Sequence, residues 1–387
     1  MDTKKFRAWA EIDLDALLGN HRAVKARAAG AKVCAVVKAD AYGHGALRTA
    51  KLLEKECDFF AVAMAEEAFE LREAGISLPI LVLGVVPEAQ IASCIAENVD
   101  LTVADAPFGR RVAEEAQKLG KRARIHFAVD TGMGRIGFLP GDEAVKEAAA
   151  LAALPFLQIA GVFSHYACAD EDEAFSEEQT QKYTAFIKGL RAAGVRPEIL
   201  HLCNSAAICK GANAFDMVRE GLVLYGLLPG PKVEGLPGLR PAMTVKARIV
   251  QVRDLPAGST VSYGATYKTP CEQRIATVSI GYGDGVPRLL SGKGDMLVHG
   301  VRAPILGRVC MDQLMLDVSH IENVRPGDEV VVFGFDGDVY LSAAEQAEIC
   351  GSIDYELLCA LNRRVPRVYF KDGKLESVAN ILPEKES

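Results

Sequence analysis

A lysine at the end of an apolar run is the first residue of this chain whose position could do chemistry. Lys38 lies in the segment VVKADAYGHG (36–45), where a buried strand is predicted to pass into a glycine-rich turn. A lysine that is taken out of water becomes neutral more readily and can form a Schiff base with an aldehyde. Because a strand-end lysine more commonly extends to solvent, this interpretation needs support from residues elsewhere in the chain.

Polar residues with phosphate-binding character follow two later apolar runs. The segment HLCNSAA (201–207) supplies Asn204 and Ser205, and the next run leads to Gly221, where a backbone N–H can approach a ligand closely. Ser205 alone is more often a helix cap than a ligand. Together with Lys38, these residues form the footprint expected of a phosphorylated aldehyde cofactor.

Two arginines and two tyrosines extend the candidate set. Arg219 ends an apolar run, and a surface ion pair is the common fate of such a residue. Beside a cofactor ring nitrogen, its permanent charge would instead keep that nitrogen unprotonated. Arg135 follows a glycine-rich turn and could pair with an acidic group. Tyr263 and Tyr282 stand beside glycines in strand–turn contexts and, taken singly, are more often structural than catalytic.

Eight short apolar runs alternate with amphipathic helical segments over the first 225 residues. This alternation predicts βα units, and eight of them favour a closed (β/α)8 barrel of the TIM type over an open sheet. Active sites of such barrels lie at the C-terminal ends of the strands, which is where Lys38, Asp130, His165, Asn204 and Arg219 fall. The runs are 32–38, 59–63, 79–83, 99–103, 124–130, 159–165, 198–204 and 216–221.

A Pro/Gly-rich stretch at 228–241 marks a change of pattern. Beyond it, strand-like segments separated by turn signals dominate, with one amphipathic helix, SAAEQAEICG, among them. We therefore predict an α/β protein in which an N-terminal barrel is followed by a C-terminal, mostly β domain.

Composition disfavours several classes of partner. A net charge of −7 and a pI of about 5.6 argue against nucleic acid and anionic membranes. No apolar stretch reaches the roughly 20 residues that span a bilayer, and no early window resembles a signal peptide. The ten cysteines are scattered without metal-ligand spacing, which predicts free thiols in the cytoplasm and no metal site.

Several motifs, in their order and spacing, resemble those of the alanine racemases, which are fold-type III pyridoxal-phosphate enzymes. They include AVVKADAYGHG, DTGMGR, HLCNSA, MVREGLVLYG, VSYGATY, GYGDG, GRVCMDQ and RRVPRVY. The resemblance implies a head-to-tail homodimer with shared active sites that interconverts L- and D-alanine for cell-wall peptidoglycan. It also implies that a strand at 1–10 joins the β domain, which leaves the barrel at 11–235 and the β domain at 236–387.

The resemblance further implies roles for individual residues. Lys38 would hold pyridoxal 5'-phosphate and act as one base, and Tyr263 of the partner subunit would act as the second. Arg219 would face the ring nitrogen, His165 would pack against the ring, and Arg135 would contact a cofactor oxygen and the substrate carboxylate. The remaining residues are the phosphate contacts Tyr42, Tyr355, Asn204, Ser205, Gly221 and Leu222, the substrate contacts Tyr282 and Met311, and the supporting Asp312.

One position departs from the pattern of the family. Many members carry a carbamylated lysine two residues before the Asp of DTGMGR, and its negative charge steadies the arginine. This chain has Ala128 at that position. We expect either that an anion such as chloride takes the place of the carbamate or that Arg135 is held differently.

Three other functions stay open at this point. A decarboxylase of basic amino acids on the same fold would place an acidic residue at the ring nitrogen and a cysteine acid in the β domain, where this chain has Arg219 and Tyr263. A racemase of another small amino acid, such as serine, would differ only in its pocket. A non-catalytic carrier of the cofactor would be a barrel without the β domain.

Overall fold

The computed structural model describes residues 3–379, and contacts within the chain divide it into two compact units. The described part of the first unit runs to Asp15, includes Tyr42–Gly45 and resumes at Pro241. The second unit comprises Ala16–Ala41 and Ala46–Arg240. The sequence predicts divisions after residues 10 and 235, whereas the contacts place them after residues 15 and 240.

The second unit is a closed barrel of eight parallel strands, which confirms the predicted (β/α)8 fold. Strand β1 (Ala8–Asp13) belongs to the first unit, and the barrel strands β2 to β9 follow it. The last of them pairs in parallel with the first, so no edge is left exposed. Their ranges are Lys32–Val36, Phe59–Val62, Ile80–Val82, Val99–Val103, Ala123–Ala128, Leu157–Phe163, Ile199–His201 and Met217–Glu220.

One helix precedes the first barrel strand, and further helices follow the strands. The helix Ala106–Leu119, α5, shows local capping at both ends: Asp105 accepts a hydrogen bond from the backbone N–H of Phe108, Pro107 lies in the first turn, and Gly120 ends the helix in a left-handed conformation. Helices α1 to α8 are Leu14–Arg27, Ala46–Leu53, Ala65–Glu73, Ile91–Ala96, Ala106–Leu119, Asp142–Ala152, Glu173–Ala192 and Ser205–Lys210.

The first unit is built on a ten-stranded sheet, which confirms the predicted mostly β domain. Strand β1 lies within this sheet, antiparallel to β10 and parallel to β19. Strands β10 to β20 are Met243–Leu255, Thr260–Val261, Tyr267–Lys268, Gln273–Val278, Asp295–Val298, Val301–Leu306, Leu314–Asp317, Glu329–Asp336, Val339–Leu341, Arg367–Lys371 and Lys374–Ala379. The sheet order is β18-β17-β14-β15-β16-β13-β10-β1-β19-β20, and β11 and β12 form a separate hairpin.

The first unit contains one helix more than the sequence predicts. Helix α9 (Ala343–Ile349) is the predicted one, and α10 (Asp354–Ala360) follows it. Helix α10 has only seven residues, and its N-cap residue Ile353 makes no side-chain capping hydrogen bond. Asp354 and Glu356 in the first turn are the helix-start signals of this stretch, and without a capping side chain they do not single out a helix.

Two further features concern the described residues as a whole. Each of the ten cysteines is a free thiol. Between residues 3 and 379, no helix combines the length and the apolarity needed to cross a bilayer.

Two helical glycines provide a test of the packing between helices and strands in the barrel. A Cβ atom on Gly109 in α5 would lie 2.6 Å from Leu151 and 3.1 Å from Val103, whereas one on Gly19 in α1 would meet no atom within 4 Å. We expect Gly109→Ala to destabilise the protein by about 1–3 kcal/mol through overpacking. Gly19→Ala should stabilise it by roughly 0.5–1 kcal/mol through helix propensity.

Urea unfolding followed by circular dichroism measures both shifts. Because the two variants add the same methyl group to a helix, opposite signs identify the packing as the cause. Shifts of equal sign would contradict this account.

Candidate active site

Lys38 begins a strained turn at the end of the first barrel strand. Residues Lys38–Tyr42 form one helical turn of the wrong hand: Ala39, Asp40 and Ala41 have φ angles of 51°, 52° and 53°, and Tyr42 continues the pattern at 53°. Each non-glycine residue in this conformation costs roughly 1–2 kcal/mol. Such strain persists only where surrounding contacts over-determine the backbone, and it clusters at functional sites.

Two carboxylates within the barrel unit hold this turn. The backbone N–H of Ala39 donates to Glu67 at 2.6 Å, and Asp40 accepts from the backbone N–H of Ala46 at 2.7 Å. Hydrogen bonds to a charged acceptor are among the stronger ones in proteins. The backbone that follows Lys38 is therefore held at two points.

Arg219 is a buried cation at the mouth of the same barrel. Its side chain is on β9 with only 3% of the residue exposed. Its guanidinium donates to Nδ1 of His201 at 2.8 Å, and to the carbonyl oxygens of Ser164 at 2.7 Å and Leu202 at 3.0 Å. Burial lowers the pKa of Arg219, but a guanidinium stays protonated in proteins. The site therefore contains a permanent positive charge.

His165 stands beside this cation. Its Nδ1 lies 3.4 Å from the Arg219 guanidinium. Loss of hydration, followed by the charges of Arg219, Arg135 and Lys38, lowers the pKa of His165 to about 3. The imidazole is consequently neutral at physiological pH, and it can accept a hydrogen bond from the arginine.

Hydrogen-bonding groups suited to a phosphate converge at the ends of β8 and β9. Asn204 caps α8 by accepting from the backbone N–H of Ala207. The Ser205 hydroxyl accepts from the backbone N–H groups of Gly221 at 3.2 Å and Val223 at 3.3 Å. A short 3-10 helix, Leu222–Tyr225, starts at the same point. In barrels of this class, the loops after the seventh and eighth strands commonly bind phosphate, and the Ser205 hydroxyl, which accepts both N–H groups, can donate its own hydrogen to one.

Ala128 lies at the end of β6, and Arg135 lies in the loop that follows this strand. Ala128 is buried in β6, where its carbonyl accepts from the backbone N–H of Phe138. Asp130 shapes the following loop by accepting from the N–H groups of Gly132 and Gly134. Arg135 is exposed, and it makes no hydrogen bond or ion pair with any residue from 3 to 379.

The remaining candidate residues lie in the first unit, among them two tyrosines close together. The rings of Tyr42 and Tyr355 are 6.0 Å apart between centroids. Burial, and then the neighbouring Tyr355, raises the pKa of Tyr42 above its usual value near 10. Its phenol therefore stays protonated and can donate a hydrogen bond.

Tyr263 projects from the turn between β11 and β12 and is 70% exposed. The preceding Ser262 has a φ of 66°, and its hydroxyl donates to the carbonyl oxygen of Arg308 at 2.5 Å. This bond anchors the turn to the segment that leads to Met311. The backbone at Tyr263 is thus held in place, while the phenol side chain extends into solvent.

Tyr282 and Met311 lie side by side on two paired segments. The backbone N–H of Tyr282 donates to the carbonyl of Cys310, and that of Gly283 donates to the carbonyl of Met311. Asp312 forms an ion pair with Arg364, which also contacts the fully buried Asp284. These contacts hold the backbone of Met311 in place while its side chain remains exposed.

Sequence reasoning missed the buried partners of Arg219. His201 is part of the HLCNSAA segment, but only its neighbours Asn204 and Ser205 are singled out from the sequence. Asp100 and His126 lie inside two of the predicted apolar runs, 99–103 and 124–130, and both are buried. The signal was available, because a charged or imidazole side chain within an apolar strand run must find a partner.

Comparison with known proteins identifies the family to which this chain belongs. Residues 12–229 match the family described as Alanine racemase, N-terminal domain, and residues 242–369 match Alanine racemase, C-terminal domain. This chain belongs to the alanine racemase family. The resemblance read from its motifs is thereby confirmed.

Individual members of the alanine racemase family align over nearly the whole chain. An alanine racemase of Clostridium perfringens is 43% identical over 379 residues, which cover 97% of this chain and 98% of that protein. The structure of an alanine racemase from Clostridium difficile superimposes with a TM-score of 0.93 at 40% identity, covering 98% of this chain and 100% of that one. One from Bacillus anthracis with bound L-Ala-P gives 0.91 at 37% identity, covering 97% of each.

The lowered pKa of His165 generates a pH prediction. An unfolded histidine takes up a proton near pH 6.5, and His165 in the folded protein does so only near pH 3. Between these values the folded state binds fewer protons, so the contribution of His165 to stability falls as the pH falls through this window.

The ring nitrogens of ¹⁵N-histidine-labelled protein report this directly. We expect the His165 signal, assigned with a His165→Gln variant, to stay that of a neutral imidazole from about pH 8 to pH 5. A signal that titrates with a midpoint near 6.5 would refute the assignment of a neutral ring.

Proposed function

We propose that this protein is an alanine racemase that uses pyridoxal 5'-phosphate to interconvert L- and D-alanine by a two-base mechanism. The observation that carries the proposal is the buried Arg219 cation at the mouth of the barrel whose first strand leads to Lys38. A permanent positive charge there suits a cofactor whose ring nitrogen must remain unprotonated. The family supplies the substrate, since its members compared above are named for alanine.

The barrel residues fit the proposed cofactor by their chemistry. Lys38 would hold it covalently, and Asn204, Ser205, Gly221 and Leu222 would bind its phosphate. The Ser205 hydroxyl already accepts two backbone N–H groups, so its own hydrogen is free to be donated to a phosphate oxygen. The family resemblance adds Tyr42 and Tyr355 as further phosphate contacts.

The bound cofactor supplies the electron sink that makes the α-proton of the substrate acidic. Racemisation then needs one acid–base group on each face of the α-carbon. We assign the amine of Lys38 to the face from which D-alanine loses its proton and the phenol of Tyr263 to the opposite face. The Arg219 guanidinium, which can only donate, would leave the ring nitrogen without a proton, and His165 would pack against the ring as a neutral imidazole.

The substrate-binding residues are assigned by the same resemblance. Arg135 would bind the substrate carboxylate, and its lack of partners among the described residues leaves its guanidinium available for this role. Tyr282 and the backbone of Met311 would contact the substrate, with Asp312 as their support through Arg364. An anion beside Ala128, such as chloride, would replace the carbamate that many members of the family carry.

A homodimer would complete the active site, with Tyr263 of the partner subunit as the second base. Three large side chains of the first unit support this assignment: Tyr263 is 70%, Met311 52% and Tyr282 42% exposed in the single chain. A buried interface is the usual place for such residues. The free thiols suit a reducing cytoplasm, and D-alanine for peptidoglycan is the product that we assign to the enzyme.

The activity itself is tested by following L-alanine in deuterated water. We expect loss of optical rotation together with exchange of the α-proton, and equal amounts of the two enantiomers at the end. Release of carbon dioxide from lysine or ornithine, without racemisation of alanine, would instead assign the chain to the decarboxylases. Faster racemisation of serine than of alanine would correct the substrate.

The Tyr263→Phe variant tests the second base. Removing a positioned acid–base group typically costs 10²–10⁴-fold in rate, so we expect racemisation to fall by about that factor. Because Lys38 remains, the variant should still exchange the α-proton of D-alanine with solvent while it fails to produce L-alanine.

Tyr267→Phe is the matched control on the same hairpin. The Tyr267 hydroxyl donates to Gln273 at 2.8 Å, so its loss should cost about 1 kcal/mol of stability and leave racemisation unchanged. Normal racemisation by Tyr263→Phe, or an equal loss in both variants, would exclude Tyr263 as the second base.

A further inference from the structure

A line of buried polar side chains runs through the interior of the barrel and ends at Arg219. His201 on β8 contacts the guanidinium through Nδ1 at 2.8 Å, and its Nε2 lies 2.9 Å from Nδ1 of His126 on β6. Nε2 of His126 lies 3.2 Å from a carboxylate oxygen of Asp100 on β5. His126 and His201 are fully buried, and Asp100 is 1% exposed.

The two ends of this line fix the direction of every hydrogen bond in it. A guanidinium can only donate, so Nδ1 of His201 must carry a lone pair and its proton must reside on Nε2. That proton is donated to Nδ1 of His126, whose own proton is therefore on Nε2 and is donated to Asp100. A carboxylate only accepts, which is the partner that this last N–H requires. One arrangement of protons satisfies all three bonds.

The charge of Asp100 is balanced at the far end of the line. Arg124 donates from Nε to both carboxylate oxygens of Asp100, at 3.0 and 3.3 Å, and its other arm reaches the partly exposed Glu198. The buried carboxylate is thus paired with a cation on one side and with the imidazole of His126 on the other. Burial, and then the Arg219 cation, lowers the pKa of His201 well below its usual range, so that ring is neutral.

Filling space is a poor explanation for these residues. Barrel interiors are ordinarily packed with branched apolar side chains, and buried polar groups are costly unless each is satisfied. An apolar residue at position 201 would leave Nη1 of Arg219 without its acceptor, Nδ1 of His201. A His201 ring protonated on Nδ1 would point an N–H at this guanidinium nitrogen, which can itself only donate. The carboxylate at the other end of the line is what excludes that tautomer.

We propose that Asp100 is a positioning residue for the reaction: through His126 it holds His201 in the tautomer that accepts from Arg219, and so it orients the guanidinium toward the cofactor ring nitrogen. The role of the guanidinium rests on the function proposed above, whereas the proton arrangement does not. Asp100 touches neither substrate nor cofactor. Its effect passes through two imidazole rings.

The first test reads the tautomers in the loaded wild-type enzyme. Two-bond ¹H–¹⁵N spectra of histidine-labelled protein, with signals assigned by His126→Gln and His201→Gln variants, should show both rings neutral and protonated on Nε2. His201 protonated on Nδ1, or on both nitrogens, would overturn the proposal without any variant of Asp100.

The second test is the isosteric Asp100→Asn variant. Arg124 should keep a hydrogen bond to the oxygen of the new amide. The amide NH₂ group would then face Nε2 of His126. We expect this to force both histidines into the Nδ1–H tautomer and to turn an N–H against Arg219. Loss of an outer-shell partner typically costs 10–100-fold in activity, so kcat should fall by about 10-fold or more, with a smaller change in KM.

Glu198→Gln is the matched control, because it removes another carboxylate from Arg124 but lies outside the line. It should leave both tautomers and kcat unchanged. Unchanged tautomers in Asp100→Asn, or equal changes in the two variants, would overturn the proposal. If the wild-type enzyme racemised no alanine while its tautomers were as expected, the proposed function would fail and the proton arrangement would stand.

Discussion

The site depends on one interaction, the burial of the Arg219 guanidinium among acceptors that carry no formal charge. A guanidinium removed from water is costly unless its donors are satisfied. Here carbonyl oxygens and a neutral imidazole satisfy them, and among residues 3–379 no carboxylate pairs with Arg219. The positive charge is therefore solvated by dipoles without being neutralised.

An uncompensated charge of this kind affects the protonation of neighbouring groups and the binding of anions. It contributes to keeping His165 and His201 neutral at physiological pH. It would attract an anionic ligand to the end of the barrel where the Ser205 hydroxyl can donate a hydrogen bond. It also opposes protonation of any ring nitrogen placed against it, which distinguishes this site from one built on a carboxylate.

Rigidity around Lys38 complements this fixed charge. Four successive residues after the lysine adopt left-handed angles, and the bonds from Glu67 and Asp40 hold the turn within the barrel unit. The strain of several residues would otherwise relax by moving the lysine. A reacting group gains from such preorganisation, because a side chain held in one place needs no reordering at each turnover.

Most of the fold could be predicted from the sequence because its signals are local. The eight apolar runs correspond to β2 to β9, since buried parallel strands need near-continuous apolar residues. The glycines of VVKADAYGHG predict a turn after Lys38 but not its left-handed course through Ala39–Ala41, because none of these residues is a glycine and one of the carboxylates that hold the turn comes from α3. Helix α10 was not predicted because its N-cap residue, Ile353, makes no side-chain capping hydrogen bond.

The candidate site was less predictable than the fold. Lys38, Asn204, Ser205 and Arg219 stand at strand ends, so their positions follow from the barrel itself. The line from Asp100 to His201 depends on which faces of three strands meet inside the barrel, and a single sequence does not specify that register. The resemblance implies which residues contact the cofactor, but it implies nothing about the line of Asp100, His126 and His201 that supports Arg219.

The central claim is that Arg219 keeps a permanent positive charge against the cofactor ring. The most direct measurement is the ¹⁵N chemical shift of the pyridine nitrogen in protein loaded with ring-labelled pyridoxal phosphate. We expect the shift of an unprotonated nitrogen that does not change from about pH 6 to pH 9, because arginine remains charged throughout. A protonated ring nitrogen in the resting enzyme would contradict it.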